Sequence, residues 1–442
     1  MSLRRIDRRT FLSKSSICVA GVGIAGSATI YSGDKHNQEQ EQPEIREYRV
    51  LGRTGFRVSD IGCGAMGITN ENVLKAIISG GINLIDTAEA YANGNNERMV
   101  GRAIKDFPRQ SLFINTKIEV SENDTGKSLI SRVRKSLERL DTDYIDGLML
   151  WNVSSVRETE NKVFHKVFRQ MKNEGLVKFC GVSCHGSNFI GEPPETMEQI
   201  ICSAADSGRF DLVMFVYNYV QQEMGENILK LCAKQNIGTT LMKTDPFGGA
   251  YLNVIDLVRN YQNESKAIPE NVQKVYDKIL KKQEKAMPFL LKHGLSDINS
   301  RKEAAVSFAL NNPAVNSVLI SFTSFSDVND YINLSGARLN DKTVSMVNSM
   351  RDTYGPLYCR HACGICESKC PSGVPVNTIM RYNHYFIAQS REKFAIQQYH
   401  ELAGPNAEKC SGCKGFCESA CPYGVPIQTL LADAHRNLSL NY

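Results

Sequence analysis

The 442-residue sequence has one tryptophan, no apolar run long enough to cross a bilayer, and no basic run interleaved with aromatics. Charge of one sign is also lacking. The formal net charge is +5, and Arg4, Arg5, Arg8, Arg9 and Lys14, less Asp7, supply +4 of it, so the remaining body is nearly neutral. Nucleic-acid binding is therefore not expected. A disulfide framework spread through a small domain is missing too. Of the 14 cysteines, Cys18, Cys63, Cys180, Cys184, Cys202 and Cys232 are scattered, and the other eight stand in two tight groups near the C-terminus. Such grouping points to metal. With 42% hydrophobic and 22% charged residues, the chain is long enough for a large core and two or three domains.

The first cysteine group is Cys359-x3-Cys363-x2-Cys366-x3-Cys370-Pro371, and the second is Cys410-x2-Cys413-x3-Cys417-x3-Cys421-Pro422. Each runs into a near-repeat: Pro371-Ser372-Gly373-Val374-Pro375-Val376 matches Pro422-Tyr423-Gly424-Val425-Pro426-Ile427, an internal duplication 51 residues apart. The run C-x2-C-x2-C-x3-C-P binds two iron–sulfur clusters, its fourth cysteine serving the other cluster. Both groups here carry one extra residue in a spacer. Zinc sites instead pair two short knuckles. Two [4Fe–4S] clusters are expected. Cys359, Cys363, Cys366 and Cys421 would bind one, and Cys410, Cys413, Cys417 and Cys370 the other. The connecting segment, 376–402, reads as mostly helical, so residues 346–442 resemble an α-helical ferredoxin-like domain.

Residues 7–14, Asp-Arg-Arg-Thr-Phe-Leu-Ser-Lys, resemble the twin-arginine export signal, with Arg8 and Arg9 as the pair. The apolar stretch from Ile17 to Ile30 has about 14 residues, the length of a signal h-region. Residues 1–31 are read as the signal and 32–46 as a polar linker. The implied partner is the twin-arginine translocase, and the implied location is the periplasm or the outer face of the cytoplasmic membrane. That route carries proteins already folded around their cofactors, in keeping with clusters built in the cytosol.

Between linker and cysteines, β-rich runs at 58–62, 83–87, 112–117, 145–151, 178–183, 212–217, 239–243 and 317–322 alternate with amphipathic stretches such as 128–140 and 163–174. Eight β/α units predict a parallel (β/α)8 TIM barrel over 47–345. A doubly wound open sheet is the alternative, but its phosphate turn is matched only loosely by Gly62-Cys63-Gly64-Ala65-Met66-Gly67. Gly52-Arg53-Thr54-Gly55 lies between two β-rich pieces and reads as a hairpin under the barrel floor. Residues 245–300 read as an insertion after strand seven, helical and charged over 272–291.

Catalytic groups of such barrels lie at the C-terminal ends of strands. Strand two ends in Asp86 and runs on to Tyr91, and strand three ends in Lys117. A phenol is a poor acid at neutral pH. An ammonium beside it stabilises the phenolate, and a carboxylate holds that ammonium in place. Asp86, Tyr91 and Lys117 therefore form a candidate proton-transfer set.

These residues, with Leu51-Gly52-Arg53-Thr54-Gly55, Asn96-Glu97-Arg98, Asp143-Tyr144-Ile145-Asp146, Gly181-Val182-Ser183 and Tyr217-Asn218, resemble the aldo-keto reductase family over roughly residues 47–345. The resemblance implies that Tyr91 is the general acid and that Asp86 and Lys117 assist it. It implies that Tyr217 stacks on a nicotinamide ring and that Ser183 bonds its amide, with Lys243 and Ser321 among the cofactor contacts. The fourth catalytic residue of the family is a histidine ending strand four. Here Trp151 stands at that place, with Asn152 after it. An indole N–H donates one hydrogen bond, which suits oxyanion stabilisation. Met214 and Cys184 also replace usual cofactor contacts, and Ser321-Phe322-Thr323-Ser324 has no cation for a 2′-phosphate.

The reading is an exported iron–sulfur oxidoreductase. It acts on a carbonyl or alcohol, sugar-like among the options, with NAD(P) held tightly through export and an outside electron-transfer partner for the clusters. The alternative is a ligand-binding or electron-transfer protein on a retired enzyme barrel, motivated by Trp151.

Overall fold

In the computed structural model the described residues are 44–185, 195–246 and 298–439, apart from 362 and 389–391, with short stretches between 258 and 277. They belong to one compact unit. The expected export signal, the linker up to residue 43 and most of the insertion after strand seven lie outside the described residues.

The chain enters through a hairpin of β1 (Tyr48–Val50) and β2 (Arg57–Ser59), paired antiparallel. Its turn needs Gly52, which sits at φ +50° with its α-carbon so close to β-strand backbone that a Cβ would lie 2.2 Å from the Gly238 nitrogen. Leu51 and Val58 from this hairpin are fully buried against Leu84, Phe113 and Leu212 inside the barrel, so the hairpin plugs the floor. Each such side chain contributes about 2 kcal/mol through burial.

The eight barrel strands are β3 (Ile61–Gly64), β4 (Leu84–Asp86), β5 (Phe113–Ile118), β6 (Ile145–Leu150), β7 (Val177–Ser183), β8 (Leu212–Val216), β9 (Gly238–Met242) and β10 (Ser317–Ser321). They are parallel and close as β10-β3-β4-β5-β6-β7-β8-β9. The open-sheet alternative is thereby excluded. Seven strands begin and end within one residue of expectation, but the first does not. Val58 and Ser59 belong to the floor hairpin, and the first barrel strand starts at Ile61. Asp60 separates the two: its carboxylate accepts from Ser335 Oγ at 2.7 Å and Gly336 N at 2.6 Å, and its carbonyl from Val318 N at 2.8 Å. Side chains alternate along each strand. Phe113, Asn115 and Lys117 thus share the inward face of β5, apolar at the floor and polar at the mouth.

After helix Asp341–Tyr354 the chain forms a helical tail with its own core, including Val374, Ile379, Leu430, Leu431 and Ala434. The duplication is visible as geometry. Glu367 accepts from Asn377 N at 2.6 Å, and its counterpart Glu418 accepts from Gln428 N at 3.1 Å. Each carboxylate thereby caps the helix that follows its cysteine group, Val376–Ala388 and Ile427–Leu438. The Asn377 amide donates to Arg360 O at 2.6 Å, and the Gln428 amide to Cys413 O at 2.5 Å. Gly364 and Gly415 match as well, with φ of 59° and 73°.

Asp433 lies buried between these two helices. Burial pushes its carboxyl from the ordinary 3.8 up to about 6, against the opposing pull of Arg436, Asn383 and Asn437. A carboxyl with a raised folded pKa binds more protons folded than unfolded, so stability falls as pH climbs between these two values and levels off above about 6. Asp433→Asn is expected to flatten that slope and to raise stability at pH 7 by up to about 3 kcal/mol. Melts of parent and variant at pH 5 and 7 check this; an unchanged spread between the two pH values rejects Asp433 as its source.

Candidate active site and cysteine cavities

The mouth of the barrel gathers the expected trio. Lys117 Nζ donates to Asp86 Oδ2 at 2.5 Å, to Thr87 O at 2.8 Å and to Tyr91 Oη at 3.2 Å. Asp86 Oδ1 accepts from Asn115 Nδ2 at 2.5 Å. Burial works against the charge on Lys117, yet Asp86 and Tyr91 outweigh it and hold its pKa above the ordinary value. Burial also pushes the Asp86 carboxyl up, against the pull of Lys117 and Asn115. An ammonium in contact with the Tyr91 oxygen stabilises a phenolate there, so the arrangement suits proton donation and recovery.

Tyr91 opens a tight turn in which Ala92, Asn93 and Gly94 have φ of 48°, 54° and 82°. For the first two this costs about 1 kcal/mol or more each. Asn152 and Lys243, at the ends of β6 and β9, are left-handed as well, with φ of 56° and 55°. Four of the six such non-glycine residues among those described therefore lie on this rim, where strain is commonly stored.

Trp151 follows β6, and its ring meets Tyr91 edge-on, centroids 5.7 Å apart. Its Nε1 is buried and has no hydrogen-bond partner in the protein. A buried N–H left unmade is costly, so this donor is poised for a ligand oxygen near Tyr91. The backbone N–H of Asn152, the next residue, donates to Ser183 Oγ at 3.1 Å.

Tyr217, expected to stack on a nicotinamide ring, directs its ring to the outer helices. It is buried against Phe308, with centroids 5.3 Å apart, and its hydroxyl donates to Glu226. Gly225 makes room for it: a Cβ there would lie 2.2 Å from the Tyr217 ring. Ser183 is buried at the end of β7 and accepts from Asn152 N. Lys243 points its Nζ at His361 Nδ1, 3.2 Å away in the tail. Ser321 is exposed at the end of β10.

The eight cysteines line two pockets. Cys359, Cys363, Cys366 and Cys421 line one. Cys370, Cys410, Cys413 and Cys417 line the other. Burial, with the neighbouring thiols, pushes Cys410 up to about 12 and Cys417 up to about 11. Among the described residues, no group of three or more His, Cys, Asp or Glu side chains stands ready to hold a metal ion. A cubane differs from a single ion, because each iron takes its own thiolate and the four donors need not converge on one point. Four cysteines to a pocket is the donor number of such a cluster. Asn377 Nδ2 lies 3.6 Å from Cys359 Sγ, and Val374 N donates to Cys370 Sγ at 3.3 Å.

Sequence reasoning missed Asn115, although the two-residue period already put it beside Lys117. It also missed Tyr358 and His361. A signal for these existed: each flanks the first cysteine group at a position where the second copy has a different residue.

A model of the aldo/keto reductase family matches residues 61–352. "Probable aldo-keto reductase 1" of Glycine max is 28% identical over 268 residues, covering 54% of this chain and 73% of that protein. Aldo-keto reductase YhdN of Bacillus subtilis (strain 168) is 30% identical over 216 residues, covering 44% and 61%. The structure of aldo-keto reductase AKR11C1 from Bacillus halodurans (holo form) matches with a TM-score of 0.50 at 20% identity, covering 69% of this chain and 96% of that one, a likeness of fold. The chain belongs to the aldo/keto reductase family of oxidoreductases.

Proposed function

We propose that the protein is an exported iron–sulfur oxidoreductase that interconverts a small carbonyl compound and its alcohol. The observation that carries this is the Lys117 ammonium bridging Asp86 and the Tyr91 hydroxyl at the barrel mouth. In reduction Tyr91 gives the proton to the carbonyl oxygen while a two-electron donor bound beside it gives a hydride to the carbonyl carbon, and in oxidation both are returned. Lys117 steadies the phenolate, and Asp86 with Asn115 holds Lys117 in position. Trp151 Nε1 supplies a hydrogen bond to the same oxygen, in place of the family's histidine. Family members typically use NAD(P). In this chain, Cys359, Cys363, Cys366 and Cys421 would hold one [4Fe–4S] cluster and Cys370, Cys410, Cys413 and Cys417 the other. Bound clusters supply one-electron transfer, to be exchanged with a partner outside the chain. Arg8 and Arg9 support delivery by the twin-arginine translocase to the periplasm or the outer face of the cytoplasmic membrane.

The test is a panel of aldehydes, ketones, sugars and alcohols assayed anaerobically with one-electron dyes, on protein whose iron has been measured. Trp151→Phe keeps the ring against Tyr91 and removes only the N–H. It is expected to lower kcat by about 10-fold or more, less than the loss on removing a donor from a full oxyanion hole. Unchanged kcat would remove Trp151 from the chemistry. No turnover of any compound in either direction would sink the enzyme reading and leave the binding-protein alternative.

A further inference from the structure

We propose that the tail closes the cofactor side of the barrel mouth, so that the protein binds neither NADH nor NADPH there. The argument begins with the duplication. At an offset of 51, Gly364-Ile365-Cys366-Glu367-Ser368 falls on Gly415-Phe416-Cys417-Glu418-Ser419, and Cys370-Pro371 on Cys421-Pro422. Where the copies agree, they build the same caps and cavity walls. At three positions where they differ, the first copy touches the barrel. Tyr358, His361 and Tyr385 stand opposite Lys409, Gly412 and Arg436.

Each of these three first-copy residues meets the rim. Asn218 Nδ2 donates to Tyr358 Oη at 3.3 Å. Gln221 Nε2 donates to the His361 carbonyl at 2.5 Å, and the His361 ring stands 3.2 Å from Lys243 Nζ. Lys243 Nζ also faces the Tyr385 ring, 5.0 Å from its centroid. Asn218 and Gln221 follow β8, and Lys243 follows β9. A nicotinamide lying across these strand ends would have to displace the tail. Asn218, Gln221, Tyr358 and His361 are all at least 95% buried, so displacement would break hydrogen bonds between buried polar groups.

The rim itself agrees. The Tyr217 ring is locked outward by Glu226 and by the close approach of Gly225, so Tyr217 itself presents no aromatic platform at the end of β8. Ser183 is engaged by Asn152. The tail bonds fall on β8 and β9, across the barrel from β4, β5 and β6, which carry Asp86, Tyr91, Lys117 and Trp151. The reacting side thus keeps its approach while the cofactor side is occupied by the chain itself.

This inference uses the Tyr91 reading only to orient the rim, and its test reads binding instead of turnover. Full-length protein with measured iron is dialysed to equilibrium against NADH or NADPH at about 1 mM, the upper end of ordinary KM values. The parent is expected to retain less than about one tenth of an equivalent at that upper KM limit. Retention of about one equivalent, competed by the other nucleotide, overturns the proposal. A second protein carries Gln221→Ala with His361→Gly, glycine being what the repeat has beside its own cysteine. It is expected to keep the parent's iron and to retain at least tenfold more nucleotide. A folded, iron-bearing variant with no gain overturns the role of the tail. Failure of the carbonyl panel, or absence of iron, would leave the binding result intact and separately readable.

Discussion

Tyr91→Phe is expected to lower kcat on the best substrate of the carbonyl panel by about 10²- to 10⁴-fold, the usual share of a general acid, with KM little changed. The change removes one oxygen and leaves the ring. The edge-on contact with Trp151 survives, with centroids 5.7 Å apart, and so does the turn through Ala92 and Asn93. Asp86 and Lys117 also keep each other, at 2.5 Å. The obvious companion is a poorer probe. Lys117→Met would leave Asp86 buried without its cation, a loss of about 3–5 kcal/mol that confounds catalysis with folding. Steady-state kinetics of Tyr91→Phe beside the parent settle the matter; parent-like kcat would take Tyr91 out of the reaction.

Cys421→Ala is expected to remove about four irons per chain, those of the cluster held with Cys359, Cys363 and Cys366. The reason is spatial. Cys421 is the last cysteine of the second group in sequence, yet it lines the cavity of the first. Cys370 does the reverse. Paired variants separate this crossed arrangement from the simpler one in which each group keeps its own four. Under crossing, Cys363→Ala with Cys421→Ala damages one cluster only and keeps half the iron. Cys413→Ala with Cys421→Ala damages both. If each group served itself, the two outcomes would be exchanged. Iron and sulfide analysis of anaerobic preparations, with paramagnetic resonance of the reduced protein, gives the answer. A chain that carries no iron in any preparation would reject the cluster reading altogether.

Most of the barrel was legible because its signals are local. Strand runs separated by amphipathic stretches need no long-range information, and seven of eight strands fell within one residue of expectation. The exception, the first strand, was displaced by Asp60, whose carboxylate reaches Ser335 and Gly336 some 275 residues away. No window of sequence contains that bond. The placement of Asp86 and Lys117 was legible for a related reason. A residue on an inward strand position close to the strand's end has little freedom over where it points.

Tyr217 shows where that freedom returns. It stands just past the end of β8, where alternation no longer dictates direction. The following helix then decided: Glu226 offers an acceptor and Gly225 leaves space, so the ring turns outward.

The eight cysteines and their doubled spacing were determined by the sequence alone, since both are a matter of residue type at short, regular intervals. The tertiary structure alone decided what the tail does to the barrel. Asn218 and Tyr358 are 140 residues apart, as are Gln221 and His361, and only the folded chain brings them together. Each is an ordinary polar residue whose meaning lies in its partner. Packing sets such partnerships, because a buried donor must find an acceptor wherever the fold supplies one.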